Sequence, residues 1–136
     1  MTVARLTPKG MFQPVPYHHV AVATGARLVS VAGQINRDER GSRVAPDDFA
    51  GQFAHALRNT ARGLGGAGAT FADVVRLRVY VVDSSDTLFA DFMDGLERVT
   101  EELAIPRPLP PLSVIGVAFL FEPDVLVEVE ADAVLD

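Results

Sequence analysis

Three acidic residues, Glu128, Glu130 and Asp132, occupy alternate positions late in the chain, interleaved with Val127, Val129 and Ala131. Alternate side chains of a strand share a face, so the three carboxylates project together. Such a face is open to three roles: a solvated acidic surface, neutralisation by Arg76 and Arg78 on a neighbouring strand, or, where partly desolvated, a carboxylate that holds a water or shuttles a proton. A second cluster is Tyr17-His18-His19. In extended chain Tyr17 and His19 share one face while His18 points away, so the two histidines cannot grip one metal without distortion. His19 either meets solvent and local partners or lines a pocket beside Tyr17. The remaining histidine, His55, falls on a helix, and no metal site is expected. The chain has no cysteine, which excludes thiol catalysis, cysteine-based zinc sites and disulfides. Gly63-Leu64-Gly65-Gly66-Ala67-Gly68 has the letter spacing of a dinucleotide-binding loop, but it closes a helix instead of opening one, so it reads as a glycine-rich helix end. No cofactor is expected.

The elements that must position these residues follow from periodicity. Strands are expected over 17–24 and 27–33, joined by a two-residue hairpin at Gly25-Ala26, with a weaker candidate before Tyr17. Pro46-Asp47-Asp48 opens a helix whose apolar face carries Phe49, Phe53, Leu57, Ala61 and Leu64, and Gly65-Gly66 stops it. Thr70 and Asp73 form a capped turn into a strand over 74–82, where Val75, Leu77, Val79 and Val81 alternate with Arg76, Arg78 and Tyr80. Ser84-Ser85 is expected to cap a second helix with the stripe Phe89, Phe92, Met93, Leu96, Val99 and Leu103, closed by Pro106. A stiff connector with four prolines leads to strands over 112–121 and 125–134, separated by a turn at Glu122-Pro123-Asp124. The order is β-β-α-β-α-β-β in one domain, residues 1–136. Two helices cover only one face of a five- or six-stranded mixed sheet. The other face must be polar or pack against another copy, which predicts a homo-oligomer.

The formal net charge of −6 and the scattered basic residues leave no clustered positive surface, so no nucleic-acid partner is expected. The longest apolar stretch, residues 112–121, is about half of a membrane span, and no signal peptide is recognised. No membrane partner is expected, and a cytoplasmic location fits the cysteine-free composition.

Four motifs in order, Pro16-Tyr17, Leu28-Val-Ser-Val-Ala-Gly-Gln-Ile35, Thr70-Phe-Ala-Asp-Val-Val-Arg-Leu-Arg-Val-Tyr-Val-Val-Asp83 and Leu126-Val-Glu-Val-Glu-Ala-Asp-Ala133, resemble the RidA/YjgF superfamily of reactive-intermediate deaminases over residues 14–134. The resemblance implies a chorismate-mutase-like α+β fold assembled as a homotrimer with clefts between subunits. It also implies cofactor-free hydrolysis of 2-imino acids and their enamine tautomers to 2-keto acids and ammonia. By that resemblance Glu128 is the glutamate beside the attacking water, Tyr17 the hairpin tyrosine and Gly33-Gln34 the pair that shapes the wall. The arginine that grips the substrate carboxylate, in a Pro-x-Arg-Ser context, is absent: Pro110-Pro111-Leu112-Ser113 places leucine there. Ala32 and Gly116 also depart from serine and glutamate in the pattern. Leucine offers neither charge nor donors to a carboxylate. Arg107, five residues away, is either a replacement anchor or a solvated surface arginine.

The expected site is therefore catalytic Glu128 with Tyr17, His19, Gly33, Gln34, Leu112 and Ser113 lining a cleft for a small molecule. The ligand would be less acidic or more apolar than the usual 2-imino acids, and the reaction hydrolysis or tautomerisation of an imine or enamine. The alternative is a non-catalytic ligand-binding trimer that kept the scaffold and lost the reaction. A ribonuclease or translation-inhibitor role, also ascribed to the family, conflicts with the acidic balance.

Overall fold

The computed structural model describes residues 2–82 and 85–136. Its elements are β1 (Thr2–Leu6), β2 (Val20–Thr24), β3 (Arg27–Gln34), α1 (Phe49–Gly66), a 3-10 turn (Phe71–Asp73), β4 (Val74–Val81), α2 (Leu88–Thr100), β5 (Leu112–Gly116) and β6 (Val127–Leu135). This is the expected α+β order with the extra leading strand.

The apolar/polar alternation of β4 and β6 sets the layers. Leu77, Val79 and Val81 of β4 and Val127, Val129, Ala131 and Ala133 of β6 are buried with Phe53, Leu57 and Leu64 of α1 and Phe92, Leu96 and Val99 of α2. The intervening residues, Arg76, Arg78, Tyr80, Glu128, Glu130 and Asp132, fall on the open face, and the register pairs Tyr80 with Glu128 and Arg78 with Glu130. Arg78 forms an ion pair with Asp132 at 3.0 Å, and the Ser30 hydroxyl donates to the same carboxylate at 2.8 Å. The arginine–acid neutralisation considered from the sequence is thus realised for Asp132. Arg76 instead donates to the Ser113 hydroxyl at 2.6 Å.

The main sheet has four strands in the order β3-β6-β4-β5, with β5 parallel to β4 and the other pairs antiparallel. That corrects the expectation of a five- or six-stranded sheet, because β1 and β2 pair only with each other. The hairpin at Gly25-Ala26 is likewise not formed: β2 pairs with β1, and β3 pairs with β6. Gly25 lies so close to the Leu135 carbonyl that a Cβ there would collide with it, so the connection is seated against β6 and not in a hairpin turn. The β1–β2 ribbon is tied down by Arg5, whose guanidinium donates to the carbonyls of Phe71, Ala72 and Val74 at 2.8–3.2 Å. Residues 17–19 are not part of β2. Tyr17 bridges to Leu109 of the proline-rich connector, where His18 N–H donates to the Leu109 carbonyl at 2.8 Å.

Asp48 caps α1, accepting from Gly51 N–H at 3.0 Å, and the reciprocal Thr70–Asp73 capping box forms as expected. For α2 the cap position is Thr87, whose hydroxyl is engaged with Asp91 and not with the helix backbone. Ser85 precedes it in the turn, and Ser84 lies outside the described residues. Gly95 of α2 brings the helices together, since a Cβ there would stand 2.7 Å from the Ala50 carbonyl, and Phe53 and Phe92 stack across the crossing at 4.6 Å. Phe89 departs from the expected stripe: it is 67% exposed, one turn before the buried Phe92.

The strand expected over 112–121 ends at Gly116, which is paired with Val81, the last residue of β4. Residues 118–121 leave the sheet with Phe119 82% and Phe121 72% exposed. The following turn is clamped by a polar cluster. Arg37 makes a two-point pair with Asp124 at 2.7 and 2.9 Å, and the buried Asn36 donates to the same carboxylate at 3.1 Å. The buried Gln52 donates to the Asp124 carbonyl and accepts from Leu126 N–H. Hydrogen bonds from Arg37 above all, joined by that from Asn36 and by the charge of Arg43, hold the Asp124 carboxyl at about 2.

Candidate functional site

Glu128 is the second residue of β6, held on the open face by alternation and fixed in place by the clamped turn that precedes it. Its carboxylate lies directly against the α-carbon of Gly33, where any Cβ would overlap Oε1. Gly33 sits at a register irregularity of β3 between Val31 and Gln34, which brings its backbone onto the β6 side chain. Around the two residues is an open cavity of about 480 Å3, walled by Ile35, Phe119, Leu120 and Phe121. Among the described residues, Glu128 is its only ionisable lining group. Burial first, and then the like charge of Glu130, raise the Glu128 pKa above the ordinary carboxylate value. The Glu130 carboxylate also stands beside the Tyr80 hydroxyl and holds that phenol's pKa up. A partly desolvated carboxylate facing an open apolar cavity is equipped to order a water and accept its proton.

The other expected residues divide between two places. Gly33 and Glu128 come together. Tyr17 and Leu112 meet in a separate apolar cavity of about 400 Å3, with Phe12, Pro16, Phe89 and Val114 among its walls. Leu112 pairs with Leu77 and points to the helix side of the sheet, where it is nearly buried, so within one protomer it is on the opposite side from Glu128. His19 packs edge-on to Tyr17 at 5.3 Å, and its Nε2 lies 2.8 Å from the Phe12 carbonyl, which gives the shared orientation expected for the two rings. Gln34 donates to the Ala32 carbonyl at 3.0 Å and shapes the bulge. Ser113 is on the Glu128 side, engaged by Arg76. Arg107 forms an ion pair with Glu97 at 2.9 Å on α2. Gly116 has open space where a side chain would stand.

Sequence reasoning missed Ile35 and the Phe119–Phe121 wall. Its signal was present in the alternation of phenylalanines within an uncharged run, but a strand buried on both faces accounts for that run equally well.

The fold and the paired Gly33–Glu128 arrangement define a small α+β protein with a carboxylate cavity on the open face of its sheet. Residues 11–135 match the family model described as Endoribonuclease L-PSP, and the chain belongs to this family, the RidA/YjgF family. A solved structure of a Rid-family protein of unknown function, YyfB from Yersinia pestis, is 34% identical, covering 99% of this chain and 100% of that one with a TM-score of 0.85. A YjgF/YER057c/UK114 family member from Mycobacterium tuberculosis is 31% identical over 98% of this chain and 100% of its own, with a TM-score of 0.60. Escherichia coli TdcF, solved with bound serine, is 28% identical over 97% and 94% of the two chains at a TM-score of 0.68. No curated protein matches the chain. Among the described residues, no helix is long and apolar enough to cross a membrane.

Proposed function

We propose that this protein assembles as a homotrimer and uses a cleft between protomers to bind a small molecule and hydrolyse or tautomerise an imine or enamine, with Glu128 ordering the water or moving the proton. The observation that carries this reading is the Glu128 carboxylate, partly desolvated, backed by Gly33 and facing an open cavity. The separation of the Tyr17–Leu112 wall from the Glu128 wall on one protomer supports a composite site, since two incomplete walls on opposite sides of a sheet become one cleft when protomers pack side by side. The bound serine of TdcF supports a small, polar-headed ligand in a relative. The family model's ribonuclease description finds no support in a chain of net charge −6.

Leu112 and the engagement of Arg107 with Glu97 favour one rival, a ligand-binding trimer without turnover. Carbonyl and ammonia release from freshly generated imines, measured for the natural protein and Glu128→Gln, separates the two. A catalyst loses turnover on that substitution while still binding ligand. A protein with no turnover before or after the change, yet saturable ligand binding, is the binder.

A further inference from the structure

Resting on that reading of the Glu128 cavity, we infer that its substrate is an organic cation without a carboxylate, namely the iminium of an apolar or aromatic primary amine, and not a 2-imino acid. The charge inventory points this way. The cavity offers one full negative charge, from Glu128, and no cationic side chain among the described residues of its walls. Of the open-face arginines of β4, Arg78 is paired with Asp132 and Arg76 donates to the Ser113 hydroxyl, and neither lines the cavity. The charge that perturbs Glu128 is another carboxylate, Glu130. At the wall this protomer gives to the cleft, an anionic ligand would meet Glu128, with the charge of Glu130 behind it, and no donor fork. A cation relieves both.

The walls favour the same class. Phe119 and Phe121 are largely exposed and line the same cavity as the carboxylate. A phenyl face attracts cations, and rings beside one carboxylate form the kind of box that recognises organic ammonium groups. The cavity volume of about 480 Å3 admits a ligand of phenyl-methyl size. The reaction balances without a co-reactant other than water. Water oxygen bonds to the iminium carbon as one water proton passes to Glu128, leaving a neutral carbinolamine. Its nitrogen takes that proton back and leaves as ammonia when the C–N bond breaks. The proton on the resulting carbonyl oxygen then passes to the ammonia, so that one iminium and one water give one neutral carbonyl compound and one ammonium ion.

Benzamidinium, benzamide and benzoate share one shape and carry positive, zero and negative charge, so their binding to the full-length protein by calorimetry reads the charge preference directly. Benzamidinium should bind tighter than benzamide by about tenfold or more, the size of one charge-assisted contact, with benzoate weakest. Glu128→Gln should erase that gap. Phe121→Leu, which keeps the wall apolar but removes one ring face, should weaken benzamidinium more than benzamide and so narrow the gap severalfold. In turnover, the imine formed from benzylamine by a flavin amine oxidase should be preferred to the 2-imino acid formed from phenylalanine by an amino-acid oxidase. Benzoate binding as tightly as benzamidinium, or a preference that survives Glu128→Gln, overturns the inference. Glu128-dependent turnover of the 2-imino acid alone would sink this inference and leave the site reading standing. No binding of any probe, together with no Glu128-dependent turnover, would sink the site reading and this inference with it.

Discussion

Glu128 combines burial with a like-charged neighbour, and both raise its pKa, so its base form is lost at a higher pH than for an ordinary carboxylate. We expect the acidic limb of kcat/KM to lie above that of an ordinary glutamate, with activity falling as pH drops through it. The same shift has a stability consequence of opposite direction. A carboxyl whose folded pKa is raised contributes stability below its unfolded value and loses it as pH rises through the folded one, so Glu128→Gln should raise the melting temperature at neutral pH but not below pH ~4. Gly33→Ala is the complementary test. The clashing atoms, Oε1, Cδ and Cγ, all belong to the Glu128 side chain and none to the backbone, so the new methyl must swing that whole side chain aside. Turnover should fall about 10- to 100-fold with unfolding free energy changed by less than about 1 kcal/mol, measured by steady-state kinetics and urea titration. Glu128 was legible because a period of two fixes which face a strand residue takes. The same period places Leu112 on the other side of the sheet from Glu128, but that fact needs the register of β4 with both neighbours, which no local pattern contains.

At the scale of elements, both helices, their buried stripes apart from Phe89, and the Thr70–Asp73 cap could be read directly, since each depends on residues a few positions apart. What escaped was pairing. The sequence on either side of Gly25-Ala26 has the spacing of a hairpin, and only contacts more than a hundred residues away, with Leu135, show why β2 and β3 part. The clamp on the Glu122–Asp124 turn was likewise invisible, because Asn36, Arg37 and Gln52 reach it from distant segments. Its acid sensitivity is specific. The Asp124 carboxyl is held at about 2 when folded against 3.8 ordinarily, so the clamp stabilises above pH ~4 and its contribution is lost as pH falls from ~4 to ~2. Asp124→Asn should show that deficit in urea unfolding at pH ~6 and little of it at pH ~2. At the helix crossing, Gly95→Ala forces a methyl against the Ala50 carbonyl and the Phe53 ring, and should cost about 1–3 kcal/mol by the same titration.

For the whole molecule, the open face of the sheet mixes a charged ladder with apolar positions on its outer strands, Leu28 of β3 at 73% and Ile115 of β5 at 38% exposure. Neither a purely solvated nor a purely buried face looks like this. A face shared between copies does, and the proposed trimer should be seen by sedimentation at micromolar concentration. Ile115→Lys should shift it toward monomer while leaving the circular dichroism spectrum intact. Leu112 has a consequence on the longest timescale. In a leucine codon of the CTN type one base change writes arginine, so a carboxylate-gripping side chain is a single mutation away. Yet Leu112 is buried beside Leu77, its register partner on β4, with Tyr17, Phe89 and Phe92 lining the same apolar cavity. A guanidinium arriving there meets hydrocarbon before it meets any substrate. A chain that carries this leucine has closed a door behind it: its descendants gain an arginine anchor only after several neighbours have first made room, and until then selection can refine only what an apolar cleft is able to hold.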